Sequence, residues 1–399
     1  MPMPTLHPPP RPGIESRRHR VRLQTTACLT GFALVTACTD ENPLLEVPSQ
    51  VAEAPASGFG EPVDSARVAA RRRIRAGNLP GVSVAVGRNG EVVWAEAFGW
   101  AGLSSDVLAT PRTLYPVGSI SKSLTATAAG LLYERGRLDF ELPIQAYLPE
   151  FPEKRWPITT SQLMGHIAGV IRSLGMAETL RQPHCGNARA AIDAVAEDTL
   201  LFEPGTEWRY SNFGWRLVGA VVESAAGEPY LEFMDREVFT PAGMERTVPD
   251  LGDEGPEEAV KYDRATFGTL RQGQEIDMSC SMAPGGFLST PTELVRFGFA
   301  MLNGEILDSA TVELFWTPQR LKSGAPTTYG YGWGIDNVAL GDDDAATTRM
   351  IGHGGSVLGG QASLMIFPDE DMVVAVMTNA SGDVSGFASD IAGIFRDPR

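Results

Sequence analysis

The first patterned region of the chain changes from helical to strand periodicity. Apolar residues recur at helical spacing over 63–75, which predicts a helix. Two apolar runs follow at 82–86 and 92–98, separated by the sequence Gly-Arg-Asn-Gly at 87–90. Because glycine and asparagine favour tight turns, we expect these two runs to form a β-hairpin.

The C-terminal part of the chain returns to a strand pattern after a mostly helical middle. A well-defined helix is expected over 120–135, with its apolar residues on one face and Gly136 at its end. Three strands and a final helix are expected at 347–352, 361–367, 372–377 and 384–395. Strands near both ends with helices between them predict an α+β fold. In this fold one antiparallel sheet, built from N- and C-terminal segments and flanked by helices, carries an inserted helical subdomain within about 120–290.

The N-terminal 61 residues differ from the rest in composition. Arginines are concentrated just before an uncharged run at 23–37, which at about 15 residues is shorter than the roughly 20 that span a bilayer. Small residues then precede Cys38, as in bacterial lipoprotein signals. We therefore predict a lipoprotein signal over 1–37, lipidation at Cys38 and a flexible, proline-containing tether over 38–61.

This N-terminal signal predicts a protein of the bacterial periplasm, anchored to a membrane through the lipid at Cys38. Two other interpretations remain open. A plain signal peptide would leave the protein secreted, and an arginine-rich organelle transit peptide would direct it elsewhere. In each case the globular domain is expected to cover 62–399.

The charge of the chain limits its partners. It has 33 lysines and arginines against 49 aspartates and glutamates, a net charge of −16 at pH 7. This charge opposes binding to nucleic acid. The five histidines are scattered, and no Cys/His cluster has the spacing of a zinc site. We expect no nucleic-acid partner, no metal and no cofactor.

Two of the four cysteines remain once Cys28 and Cys38 are assigned to the N-terminal signal. In an oxidising compartment Cys185 and Cys280 could form a disulfide. Two free, buried thiols agree equally well with the sequence.

The first motif with chemical potential is Ser119-Ile120-Ser121-Lys122, where a loop becomes the expected helix. Residues three apart share one helix face, so the amine of Lys122 can reach the hydroxyl of Ser119. The free N–H groups of the first helical turn face the same space. Serines activated by lysine carry this pattern, although Ser-x-x-Lys by itself occurs by chance in many chains.

The second motif is Tyr210-Ser211-Asn212. In an extended segment Tyr210 and Asn212 point the same way, because alternate residues share a face. A neighbouring cation such as Lys122 would lower the pKa of tyrosine from about 10 and allow it to act as a base. Asn212 has both a donor and an acceptor for Lys122 or a bound amide. The simpler interpretation of this motif is a turn.

The third motif, Gly352-His353-Gly354-Gly355-Ser356, directly follows the strand expected at 347–352. A glycine-rich strand edge allows close approach of another backbone and offers an N–H to a carbonyl oxygen. His353 can donate a hydrogen bond or carry charge near neutral pH. The simpler interpretation is a β-bulge.

In this order and spacing, the three motifs resemble the serine beta-lactamase-related family. The resemblance runs from about residue 62 to 397, and flanking segments also match, at 115–119, 204–212 and 285–290. The family includes class C beta-lactamases, D-alanyl-D-alanine carboxypeptidases, D-aminopeptidases and esterases. Within it, two segments are similar to the mitochondrial serine beta-lactamase-like branch and its bacterial relatives, at 119–125 and 147–154.

The resemblance implies a beta-lactamase/transpeptidase-like fold and specific catalytic roles. Ser119 would attack a carbonyl carbon, and Lys122 and Tyr210 would relay its proton. An acyl-enzyme would form and then be hydrolysed by water.

The resemblance also implies substrate-binding roles. Asn212 would orient both the substrate and Lys122. The segment with His353 and Gly355 would line the substrate site, and the backbone N–H groups of Ser119 and Ser356 would form an oxyanion hole.

The chain departs from the family pattern at two places. His353 stands where many relatives have lysine, and Gly354 stands where a hydroxyl often contacts a substrate carboxylate, which weakens the expectation of beta-lactam substrates. A common His-Thr-Ser-Gly segment appears here as His166-Ile167-Ala168-Gly169. Because two hydroxyls are lost, we expect His166 to be structural.

Together these observations predict an exported serine hydrolase that cleaves an amide or peptide bond in a small molecule or peptide, such as a D-residue peptide or a beta-lactam. Two alternatives remain. The protein could be a short-chain carboxylesterase of the same fold, or a non-catalytic ligand-sensing or assembly protein, because fold does not fix function.

Overall fold

The computed structural model describes residues 47–52, 54–171, 184–253, 255–265, 268–340 and 347–396. The chain divides into two units, 1–41 and 42–399, and every described residue belongs to the second. The predicted signal, Cys38 and most of the predicted tether lie outside the described residues.

Thirteen strands are found in the described residues: β1 Ser49–Val51, β2 Gly81–Arg88, β3 Glu91–Gly102, β4 Val107–Leu108, β5 Tyr115–Pro116, β6 Val248–Pro249, β7 Tyr262–Arg264, β8 Leu270–Gln272, β9 Phe287–Ser289, β10 Gly334–Ala339, β11 Thr347–Val357, β12 Gly360–Phe367 and β13 Met372–Thr378. The main sheet follows the order β1-β3-β2-β13-β12-β11-β10, and β4 pairs with β3 beside this path. Small sheets are formed by β5-β9-β6 and by β7-β8.

Ten α-helices are found in the same residues: α1 Gly60–Gly77, α2 Ser121–Glu134, α3 Thr160–Met164, α4 Asp193–Ala196, α5 Asn212–Ala226, α6 Tyr230–Met234, α7 Met282–Gly285, α8 Pro291–Leu302, α9 Ser309–Phe315 and α10 Val384–Phe395. A 3₁₀ turn, Gly118–Ile120, leads into α2, and a π-helix, Asp235–Phe239, continues α6. None of the described helices is long and apolar enough to span a membrane.

The predicted α+β architecture is confirmed. The N-terminal hairpin β2-β3 joins the C-terminal strands through an antiparallel pair, β2 with β13, in which Ala85 lies opposite Ala375. The segment between these strands supplies the helices α2 to α9. One sheet is therefore built from distant parts of the chain, with a mostly helical region inserted between them.

The sheet is buried on both faces. Alternate residues of β13 point to opposite sides. Val374 and Val376 pack in a core with α1 and α10, whereas Val373 and Ala375 belong to a core shared with α2, α5 and α8. The second core holds the helical region against the sheet.

The predicted tether over 38–61 is wrong for residues 60–61, which begin α1, and for residues 49–51. Residues 49–51 form the edge strand β1, with Ser49 opposite Phe98 and Val51 opposite Glu96. The strand is short and two of its side chains are exposed, so its stability comes from backbone hydrogen bonds to β3. A pattern based on side-chain hydropathy does not detect such a strand.

Cys185 and Cys280 form a disulfide with their Cα atoms 5.0 Å apart. This resolves the two possibilities that the sequence allowed. The bond connects the segment that follows residue 184 to the segment before α7. The adjoining backbone is also linked, because Cys185 N donates to Ser279 Oγ at 2.9 Å. The described residues contain no group of three His, Cys, Asp or Glu side chains arranged to hold a metal.

Candidate active site

Two glycines bring β11 next to the turn that carries Ser119. Gly118 has a left-handed φ of 51°, and a Cβ at this position would lie 2.7 Å from the backbone nitrogen of Ser356. A Cβ on Gly355 would lie only 1.8 Å from the carbonyl oxygen of Val117. Larger residues at either position would push the two segments apart. The glycines therefore place the Ser356 N–H beside the turn with Ser119.

Lys122 lies on the first turn of α2, with its side chain fully buried beneath Ser119. Its Nζ donates to Ser119 Oγ at 3.0 Å and to the carbonyl oxygen of Pro284 at 2.6 Å. Burial lowers the pKa of the Lys122 amine well below its ordinary value. Burial thus favours the neutral form of an amine that lies at hydrogen-bond distance from the Ser119 hydroxyl.

Tyr210 completes this group. Lys122 Nζ lies 4.8 Å from the centroid of the Tyr210 ring. The sequence suggested Lys122 as a cation that favours a tyrosine phenolate. Because burial lowers the pKa of Lys122, the amine is better suited to act as a base than as a fixed positive charge.

His166 is fully buried and supports Tyr210. Its ring lies 4.2 Å from the Tyr210 ring, centroid to centroid. Its Nδ1 accepts from the backbone N–H of Ser211 at 3.1 Å, and its carbonyl oxygen accepts from Arg209 N at 2.8 Å. Burial, with smaller contributions from Lys122 and His353, lowers the pKa of His166 well below its usual value. His166 thus contacts both backbone neighbours of Tyr210, and its structural role stays a prediction.

Asn212 begins α5, and the preceding Ser211 caps this helix by accepting from Gly214 N at 2.8 Å. The Asn212 Oδ1 atom is buried and has no hydrogen-bond partner among the described residues. Asn212 Oδ1 therefore does not accept from Lys122 in this structure, and the carbonyl of Pro284 is an acceptor of that amine. The other predicted role of Asn212, orienting a substrate amide, stays a prediction. Pro284 is distant in sequence and has no side-chain signal for this role.

His353 is held as a neutral imidazole. Its Nδ1 donates to Gly354 O at 2.7 Å, and its Nε2 accepts from the hydroxyl of Tyr329, also at 2.7 Å. Burial, with a smaller contribution from Lys122, lowers the pKa of His353 to about 3. The sequence suggested a donor or a charge at this position, but both ring nitrogens are occupied and the ring is uncharged at neutral pH.

Part of β11 has a free edge beside Ser119. The pairing of β10 with β11 ends at Gly334 opposite Gly352. Beyond Gly352, the residues 353–357 pair with β12 alone among the described strands. Unpaired backbone groups at such an edge can bind an extended peptide.

A cavity of about 400 Å³ lies where β10 separates from β11. Its lining includes the aromatic side chains of Trp208, Tyr210 and Tyr329, the apolar side chains of Ile335 and Met365, and the backbone around His353. Of the predicted site residues, Tyr210 and His353 therefore border this cavity.

The sequence analysis missed two contributors to this site, Tyr329 and the carbonyl of Pro284. Tyr329 begins a run of alternating aromatic residues and glycines at 329–334, which could have drawn attention to it. The predicted residues Ser119, Lys122, Tyr210, His353, Gly355 and Ser356 are brought together by the contacts described above. Cys38 lies outside the described residues.

A sheet assembled from both ends of the chain, with a helical insertion and a serine-lysine pair at their junction, is the arrangement of the beta-lactamase/transpeptidase-like fold. The family model described as Beta-lactamase matches residues 66–396, and the chain belongs to this family, whose members are serine hydrolases. The predicted family and fold are thereby confirmed.

Relatives in this family carry several different names. Mouse (Mus musculus) mitochondrial serine beta-lactamase-like protein LACTB is 27% identical over 414 residues, covering 79% of this chain and 74% of LACTB. Penicillin-binding protein 4* of Bacillus subtilis is 25% identical over 320 residues, covering 75% of this chain and 68% of that protein. A solved structure of D-amino acid amidase from Ochrobactrum anthropi has a TM-score of 0.72 at 21% identity, covering 84% of this chain and 99% of the amidase.

Proposed function

We propose that this protein is a serine hydrolase that forms an acyl-enzyme at Ser119 and hydrolyses amide or ester bonds. The observation that carries the proposal is the 3.0 Å contact between Ser119 Oγ and the buried amine of Lys122. A serine hydroxyl is a weak nucleophile unless a base accepts its proton. Burial lowers the pKa of the Lys122 amine and so favours the neutral form that can act as this base.

In the first step, Lys122 Nζ accepts the Ser119 proton while Oγ forms a bond to the carbonyl carbon. The carbonyl oxygen becomes negatively charged and accepts hydrogen bonds from the backbone N–H groups of Ser119 and Ser356. One donor of this kind is typically worth about 100 to 1,000-fold in rate. The glycines at 118 and 355 support this step because they permit the close approach of the two backbones.

In the second step, the bond between the carbonyl carbon and the leaving group breaks. The proton held by Lys122 passes to the leaving group through the hydroxyl of Tyr210, whose ring faces Nζ. Water then attacks the acyl carbon and gives a proton to the Lys122 amine through the hydroxyl of Tyr210. The bond between the acyl carbon and Ser119 Oγ breaks, Lys122 returns the proton to Oγ, and the acid is released.

The free edge of β11 and the unpartnered Oδ1 of Asn212 support an extended substrate with an amide N–H. Peptides and amides, including those of D-residues, have this feature. The names of penicillin-binding protein 4* and D-amino acid amidase agree with such substrates, but they do not identify a particular substrate of this protein.

A panel of three substrates tests the proposal: a D-alanyl p-nitroanilide, p-nitrophenyl butyrate and nitrocefin. We expect the parent protein to release p-nitroaniline from the anilide, and we expect Ser119→Ala to abolish this release. Turnover of the butyrate ester alone would favour the carboxylesterase. If Ser119→Ala matches the parent protein on all three compounds, catalysis at Ser119 is contradicted and the non-catalytic alternative is favoured.

We also propose export and lipid attachment at Cys38. The disulfide between Cys185 and Cys280 supports an oxidising compartment. Intact-mass measurement of the protein isolated from its native membranes should show loss of residues 1–37 and a lipid adduct on Cys38. A mature chain that begins elsewhere, without a lipid, contradicts this proposal.

A further inference from the structure

We propose that the leaving group of this hydrolase carries no carboxylate, because the described residues that line the cavity beside His353 include no lysine or arginine. Substrates would then be amides, esters or peptide bonds whose leaving part carries no nearby carboxylate, and a carboxypeptidase activity on free C-termini is disfavoured. The inference rests on the proposed acyl transfer at Ser119 and names the substrate class of that site.

The position of the leaving group follows from the position of its proton donor. Tyr210 delivers the proton, and its side chain lines the 400 Å³ cavity together with His353. The ring centroids of Tyr210 and His353 lie 6.4 Å apart. A group that takes a proton from Tyr210 therefore enters the cavity as it departs.

His353 cannot supply a charge or a free donor to that group. Its Nδ1 proton is used by Gly354 O and its Nε2 is used by Tyr329. Tyr329 is itself buried, and this burial raises the pKa of its hydroxyl well above the usual value, so it keeps the proton that it donates to His353. Neither His353 nor Tyr329 therefore offers a charge or a free hydrogen-bond donor to the cavity.

The rest of the cavity lining gives the same result. Among the described residues that line it there is no lysine or arginine, and Asp336 contributes an exposed carboxylate near its opening. Gly354 lines the cavity without a hydroxyl. The nearby Lys122 amine is buried and directed to Ser119 and Pro284. A carboxylate in this cavity would lose hydration without gaining an opposite charge.

Matched aryl phosphonates provide a test that needs one chemical step. Ser119 Oγ attacks phosphorus, the P–O bond to the aryl group breaks, and the phenolate leaves with a proton from the site. One probe carries 3-carbamoylphenol as leaving group and the other carries 3-carboxyphenol. The labelling rate of the protein is measured by intact mass at 0.15 M salt, which screens distant charges. Each rate is divided by the rate at which hydroxide reacts with the same probe, so that the two probes can be compared.

We expect the carbamoyl probe to label at least about tenfold faster, a difference of roughly 1.4 kcal/mol. His353→Lys should reduce this ratio by accelerating the carboxyl probe. Tyr329→Phe leaves Nε2 of His353 free to bind a proton and then to donate to a carboxylate, so it should reduce the ratio to a smaller extent. Tyr133→Phe, at an exposed position on α2, should leave the ratio unchanged.

Three outcomes are distinct. Equal labelling, or faster labelling by the carboxyl probe, overturns the inference about the leaving group. A His353→Lys variant that labels with the carbamoyl probe but keeps the parent ratio also overturns it, since the variant is then folded and reactive. If neither probe labels Ser119 in the parent protein, the proposed function itself fails.

Discussion

Nζ of Lys122 lies 2.6 Å from the carbonyl oxygen of Pro284, a residue 162 positions later in the chain. This contact holds the amine in place and uses one of its N–H donors. When the amine is neutral, its lone pair remains available to the Ser119 hydroxyl. The chemistry at Ser119 therefore depends on the segment before β9 as well as on helix α2.

Replacing Lys122 by methionine should slow acylation strongly while the helix remains. General-base catalysis typically contributes about 100 to 10,000-fold, so we expect a loss in that range. Lys322→Met is the matched control, because Lys322 is exposed and pairs with Glu203. The measurement is the rate of Ser119 labelling by a fluorophosphonate. If Lys122→Met labels at the parent rate, Lys122 is not the general base.

The pH dependence of the same labelling reaction reports the ionisation of Lys122. Only the neutral amine accepts the serine proton, so the rate should rise with pH and level off once Lys122 is deprotonated. Because burial lowers the pKa of Lys122, the plateau should begin well below pH 10.5. A rate that still rises toward pH 10.5 would mean that the amine keeps an ordinary pKa.

Gly355→Ala should disrupt the oxyanion hole. A Cβ at this position meets the Val117 carbonyl at 1.8 Å, so β11 must move away from the turn with Ser119. We expect a loss of roughly 100-fold or more in labelling rate, comparable with the loss of an oxyanion donor. Gly60→Ala is the control, since no atom lies within 4 Å of its added Cβ. Equal rates for both variants would show that the close approach is unnecessary.

The low pKa of His353 predicts a loss of stability in acid. The unfolded chain binds a proton on this histidine below about pH 6.5, whereas the folded protein excludes it down to about pH 3. The free energy of unfolding therefore falls as pH decreases through this window, by up to about 1.4 kcal/mol per pH unit. The buried His166 adds a contribution of the same sign.

Urea unfolding of His353→Gln between pH 4 and pH 7 tests this linkage. The variant should show a shallower fall in unfolding free energy than the parent, because one of the two excluded protons is removed. Identical slopes for parent and His353→Gln would mean that His353 is protonated in the folded protein.

Much of the main sheet and its topology could be predicted from the sequence. The final helix has the predicted bounds, Val384–Phe395, and the C-terminal strands lie where the apolar runs placed them. The strands β12 and β13 are almost completely buried and the final helix buries one face, so local hydropathy reports these structures directly. Strand β10 was missed because it lies at the edge of the sheet and most of its side chains are at least partly exposed.

The residues of the three motifs could be predicted from the sequence, but the contacts that hold them in place could not. Ser119 and Lys122 are neighbours on one helix, and their contact follows from helical spacing. The contacts of Lys122 with Pro284 and of His353 with Tyr329 join segments that meet only in the folded chain. These long-range contacts also set the charge states of Lys122 and His353, which no local pattern reveals.

The most direct test of covalent catalysis is peptide mapping after treatment with a fluorophosphonate probe. The account predicts one adduct, on the peptide that contains Ser119, absent in Ser119→Ala and greatly slowed in Lys122→Met. The parent protein should lose hydrolytic activity in proportion to the fraction labelled. An adduct that persists in Ser119→Ala, or full activity of the labelled protein, would contradict the assignment of Ser119 as the nucleophile.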